Sequence, residues 1–136
     1  MTPVLYILMR TDMESMNPGK AMAQASHASN AFVYLAEVGG WEQVDPTWKL
    51  FQTWTDQTRQ GFGTVLVLGV NEIQMKTAVD ISHSLNYISE VVNDPTYPLQ
   101  DGDTTHFIPL DTCGFIFGDK EDPVLQSIVG NFELHT

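Results

Sequence analysis

Residues Val4–Met9, VLYILM, form a continuous apolar run rich in strand formers. Such a run is the pattern of a buried strand. Arg10, Thr11 and Asp12 end it in a polar turn, and a short loop, Met13–Met16, leads into a helix. Strand, loop and helix in that order open an α/β unit. The helix is clearly punctuated: Asn17 suits the N-cap, Pro18 the first turn and Gly39–Gly40 the stop. Along it, Ala21, Ala25, Ala28, Phe32 and Leu35 make one apolar stripe. Lys20, Gln24 and His27, at i, i+4 and i+7, make a polar stripe beside it. The alanines allow close packing on a sheet, so a basic group, an amide and an imidazole project together from a rigid element.

The rest of the chain repeats the alternation. Asp45-Pro46 starts a second helix carrying Trp48, Phe51 and Trp54 on one face. Gln57–Gly63 breaks that pattern, and Thr64–Val70 (TVLVLGV) is a second buried strand. Asn71 caps a third helix, in which Ile73, Thr77, Ala78, Ile81 and Leu85 share a face. Tyr87–Asn93 reads as a third strand ending at Asp94-Pro95. Pro95–Asp111 then reads as a long polar loop, with three prolines and a turn-rich stretch at Asp101–Thr105. Cys113–Phe117 is a fourth strand, Asp122-Pro123 caps a short helix over Val124–Val129, and Phe132–Leu134 closes the chain. Neither repeats nor low-complexity tracts interrupt it. The alternation predicts one α/β domain spanning residues 1–136: a three-layer α/β/α sandwich with a mixed four-stranded sheet and right-handed crossovers.

The 136 residues, 43% of them hydrophobic, suffice for a substantial core and argue against disorder. Cys113 is the single cysteine, so no intrachain disulfide can form, and a reducing, cytoplasmic setting is expected. Val4–Met9 is too short for a membrane span and lacks the features of a signal peptide. Six basic residues stand against 17 acidic ones, a net charge of −11. That balance disfavours nucleic acid, whose nonspecific binding rests on neutralised phosphates, unless the cations cluster.

Arg10-Thr11-Asp12-Met13, Gly19-Lys20 and Ala23-Gln24-x-x-His27-Ala28 together resemble the archaeal-eukaryotic type of peptidyl-tRNA hydrolase. That family carries Arg-x-Asp-Leu and then Gly-Lys-x-x-Ala-Gln-x-x-His-Ala straight after its first strand. The tail is similar too: Thr112 before a strand, Asp122-Pro123, Ser127-Ile128-Val129-Gly130 and Phe132-x-Leu134. One stretch departs from the pattern. Where the family has Asp-Ala-Gly-Arg-Thr, this chain has Asp94-Pro95-Thr96-Tyr97-Pro98, and its connection to Thr112 is longer. Thr96, Thr104 and Thr105 are the candidates for the threonine missing there.

The resemblance implies a cofactor-free hydrolase, a homodimer, that cleaves the ester joining a peptide to the end of a tRNA. Such chemistry needs an activated water, a stabilised oxyanion and a grip on the sugar-phosphate end. It assigns Lys20, Asp94 and Thr112 to catalysis, with Arg10, Gln24 and His27 at the substrate. Lys20, in the first helical turn, brings positive charge to a helix N-terminus. Each residue also has an ordinary reading: Lys20 as a solvated lysine, Asp94 as a turn residue before proline, Thr112 as a strand threonine, His27 and Gln24 as packed polar groups, and Arg10 as the ion-pair partner of Asp12. His83, His106 and His135 form no zinc-ligand spacing with Cys113, which reads as core. Phosphate-loop and nucleophile-elbow motifs are absent. Trp41, Trp48 and Trp54 suit core or dimer packing better than base stacking. Two rivals to the tRNA reading are a non-catalytic binding protein on the same scaffold and a hydrolase of another small acyl ester.

Overall fold

A computed structural model of the protein describes residues 1–40 and 45–136, so Trp41 lies outside the described residues. The chain runs β1 (Pro3–Arg10), α1 (Pro18–Val38), α2 (Pro46–Thr55), β2 (Val65–Val70), α3 (Glu72–Ser84), β3 (Ile88–Asp101), β4 (Thr104–Asp119), α4 (Pro123–Val129) and β5 (Glu133–Leu134). It is a mixed α/β fold with five strands in the order β3-β4-β1-β2-β5. β1 and β2 are parallel, and the other pairings are antiparallel.

Every residue of β1 is buried, so both faces of the central strand need cover. Leu5, Ile7 and Met9 pack with Ala21, Ala28 and Phe32 of α1 and with Phe51 and Trp54 of α2. Val4, Tyr6 and Leu8 point the other way, into Met75, Ala78 and Val79 of α3 and Leu125 and Val129 of α4. Two helices therefore sit on each face. The α1–α2 side is rich in aromatic residues: the Phe32 ring lies 4.7 Å from Phe117, 5.2 Å from Trp54 and 5.5 Å from Phe51. Trp54 is fully buried, with its indole N–H donating to the Thr64 carbonyl, and Trp48 packs on Phe51.

Local signals placed the helices. Asn17 caps α1 by accepting from the Lys20 backbone N–H at 2.9 Å. Asp45 caps α2, Asp122 caps α4, and Asn71 with Gln74 forms a reciprocal capping box on α3.

Three expectations change. The sheet has five strands rather than four, because Glu133 and Leu134 pair with Gly69 and Leu68 at its edge. The Pro95–Asp111 segment is not a loop: β3 and β4 continue through it as a long hairpin closed at Gly102-Asp103, with Gly102 at φ +58°. Pro95 and Pro98 are tolerated because β3 is an edge strand and a register irregularity between Asp94 and Tyr97 takes up Pro95 and Thr96. Along β4, β1 pairs with Cys113 to Asp119 and no further towards the turn, so the hairpin's outer half is a two-stranded arm. On α3 the packed face is Met75, Ala78, Val79 and Ser82, whereas Ile73 and Ile81 are exposed. Both stripes have helical spacing, and contact with the sheet selected the second.

Phe32 meets four other rings, so Phe32→Ala is expected to cost about 3–5 kcal/mol in urea unfolding, with an unchanged denaturant slope. A loss below about 1 kcal/mol would mean the aromatic cluster does not anchor α1.

Candidate active site

The C-terminal end of β1, the first half of α1 and the start of the hairpin arm converge on one buried side chain. Gln24 of α1 is 2% exposed, although it belongs to the helix's polar stripe. Its Oε1 accepts from the Thr112 hydroxyl at 2.7 Å, and its Nε2 donates to Asp94 Oδ2 at 2.7 Å. Thr112 is fully buried on β4 and Asp94 nearly so on β3. One amide thus joins two strands to one helix. The Cys113 thiol closes the group by donating to the Gln24 carbonyl, and burial pushes that thiol up to about 12.

The other carboxylate oxygen of Asp94 accepts from Thr96, from its backbone N–H at 2.9 Å and its hydroxyl at 3.3 Å. His27, half exposed, places Nε2 3.9 Å from Asp94 Oδ2. Burial works to raise the Asp94 carboxyl. The hydrogen bonds from Gln24 and Thr96, with His27 nearby, outweigh it and hold the group below the ordinary aspartate range. Asp94 is therefore an ionised carboxylate at neutral pH, fixed from both sides.

Lys20 lies one turn before Gln24 on α1 but does not bond to Asp94. Its Nζ donates to the Pro98 carbonyl at 2.7 Å and lies 5.2 Å from the centre of the Tyr97 ring. Arg10 is 8% exposed and engaged with acids: Asp12 Oδ1 at 2.9 Å, Glu72 Oε2 at 2.9 Å, and the Asp111 carbonyl at 3.0 Å. Lys76 joins the same network through Asp111 at 3.3 Å. The hydrogen bond from Arg10 holds Asp12 below its usual range, and the Asn93 amide does the same for Asp111.

The structure thus brings Gln24, Asp94, Thr112 and His27 into one hydrogen-bonded neighbourhood, with Lys20 one helical turn away, while Arg10 sits in a neighbouring acidic network. Across residues 3–135 the chain matches the family model for peptidyl-tRNA hydrolase PTH2. The chain belongs to this family. A comparison with curated proteins finds no match. Within the family's helix motif, Gln24 is the polar side chain that is buried. Of the three threonines considered for the altered segment, Thr96 lies against Asp94, whereas Thr105 bonds to Gln100 towards the tip of the arm. Sequence reasoning did not find Tyr97, its Ser15 partner or the Pro98 carbonyl as neighbours of Lys20. A hairpin register brings them there, and no local pattern signals it. Among the described residues no cluster of metal-ligating side chains occurs, and no helix is long and apolar enough to cross a membrane.

Gln24→Ala strips partners from a buried hydroxyl and a buried carboxylate, and is expected to cost about 2–3 kcal/mol. Asp94, having lost a hydrogen bond to its charged form, should titrate at higher pH in carboxyl-carbon NMR. An unmoved midpoint would show that the bridge does not hold the charge. Because the folded-state value of Asp94 is depressed, its contribution to stability is present above the unfolded value of about 3.9 and is lost as pH falls through the lower folded value. Asp12 and Asp111 act in the same direction. Urea midpoints followed against pH should therefore fall on the acid side, and Asp94→Asn should make that fall shallower.

Proposed function

We propose that this protein hydrolyses the ester of peptidyl-tRNA, releasing the peptide's carboxylate and the terminal hydroxyl of the tRNA. The observation that carries the reading is the buried Thr112–Gln24–Asp94 chain, built on the motif residues of a peptidyl-tRNA hydrolase family member. In this reading, ionised Asp94 orients a water molecule for attack on the ester carbonyl. Lys20, at the N-terminal turn of α1, meets the negative charge that develops on the carbonyl oxygen. The alkoxide leaves with a proton from water, with His27, half exposed beside Asp94, placed to relay it. Thr112 is fully buried, and its hydroxyl acts through Gln24, keeping the amide turned towards Asp94. No cofactor takes part. The reading extends to a homodimer, as the sequence resemblance implies, in the reducing cytoplasm that a single cysteine suggests.

One observation favours a non-catalytic binding role instead. At this end of the sheet Arg10 and Lys76 pair with Asp12, Glu72 and Asp111, which leaves little positive charge for phosphates. Deacylation of an N-blocked aminoacyl-tRNA separates the two. The wild-type protein should release the blocked amino acid, and Lys20→Ala should lose roughly 100-fold or more in kcat, the loss typical of a removed oxyanion donor. The logarithm of KM should change with the logarithm of salt by a slope of only about 1, as expected if Lys20 alone, among the described cations at this site, meets the substrate. A folded wild-type protein that releases nothing sinks the hydrolase reading in favour of binding.

A further inference from the structure

The two cations nearest the candidate site are restrained in opposite ways. Arg10 is bonded to carboxylates of Asp12 and Glu72, and its charge is cancelled where it stands. Lys20 is held by groups that carry no charge. Its Nζ donates to the Pro98 carbonyl at 2.7 Å and faces the Tyr97 ring, 5.2 Å from its centre. A carbonyl dipole and a ring quadrupole both attract an ammonium, and neither neutralises it. An ammonium has three N–H donors and Pro98 takes one.

The ring is itself well fixed. Tyr97 is fully buried, and its hydroxyl lies 3.0 Å from Ser15 Oγ and 4.0 Å from Met16 Sδ, both in the loop that leads into α1. The same short stretch that presents Asp94 to Gln24 therefore presents Tyr97 and Pro98 to Lys20. The register irregularity between Asp94 and Tyr97 lets one strand do both.

We propose that Tyr97 is a positioning residue for Lys20: with the Pro98 carbonyl it holds the ammonium in place while leaving its charge and two donors for a negatively charged oxygen of the substrate or transition state. A carboxylate in that place would fix the lysine equally well and cancel it, as happens to Arg10. The use made of the charge rests on the hydrolase reading above, whereas the restraint on Lys20 does not.

The restraint is measured first without substrate, by NMR of the wild-type protein with labelled lysine and tyrosine. Cross-peaks between the Lys20 ε-protons and the Tyr97 ring, with ring-shifted ε-proton resonances, are the expected result. Their absence overturns the proposal. Tyr97→Leu should return the Lys20 resonances towards those of a solvated lysine, and Tyr97→Phe, which keeps the ring and loses only the hydroxyl with its contacts to Ser15 and Met16, should retain the shift. A folded Tyr97→Leu protein with unchanged Lys20 resonances also overturns it. If the leucine variant does not fold, the wild-type cross-peaks and the phenylalanine variant decide. In the deacylation assay, Tyr97→Leu should lower kcat roughly tenfold with KM within about twofold, and Tyr97→Phe should recover most of the loss. Equal loss in both variants would assign the effect to the contacts of the Tyr97 hydroxyl and overturn the role of the ring. Wild-type cross-peaks with no deacylation by any form would uphold the restraint on Lys20 and reject the hydrolase reading.

Discussion

A glutamine amide buried beneath a helix is stable only if both of its ends are satisfied, since each unpaired polar group there costs on the order of 1–3 kcal/mol. Gln24 meets that condition with one neighbour from each of two strands: the Thr112 hydroxyl on β4 and the Asp94 carboxylate on β3. The consequence is geometric. Apolar contacts between alanines and the sheet would let α1 slide or rotate at small cost, and the amide admits one placement. Once α1 is set, Lys20 and His27, one turn on either side, have their positions as well. The ionised state of Asp94 depends on the same amide, because burial opposes the charge and the hydrogen bonds sustain it.

The electrostatics around this bridge follow from the chain's acidity. With a net charge of −11, carboxylates are plentiful, and Arg10 and Lys76 at this end of the sheet pair with them. Such pairs order the junction of β1, α3 and the arm, and they offer little to a polyanion. Lys20 differs because the strand opposite it supplies a carbonyl and an aromatic face. A substrate with one developing negative charge suits this arrangement better than one recognised through many phosphates.

The arm shows how strand character can be hidden. Three prolines, a glycine and a run of aspartates and threonines read locally as loop. Proline is disfavoured in the middle of a sheet because, whichever way its nitrogen faces, a neighbouring strand loses a ladder hydrogen bond, whereas an edge strand has one side with no neighbour to lose it. β3 occupies that edge, so Pro95 and Pro98 cost it little.

What the sequence determined by itself was local. Asn17, Asp45, Asn71 and Asp122 mark helix starts because a cap satisfies backbone groups within three residues of itself, and all four caps are found in place. The buried run of β1 was equally legible, and so was the spacing of Lys20, Gln24 and His27 on one helix; β2 was legible as a strand, but only its Leu68 and Val70 are buried. Tertiary structure decided the rest. It chose between the two apolar stripes of α3, made strands of residues 95–111, turned Gln24 inward and set Lys20 against Tyr97. Each of those outcomes depends on a partner at least 70 residues away along the chain or on a place in the sheet order, as for Gln24 with Asp94. Pairings of that kind leave no periodicity in the sequence, because nothing local repeats when two distant segments meet.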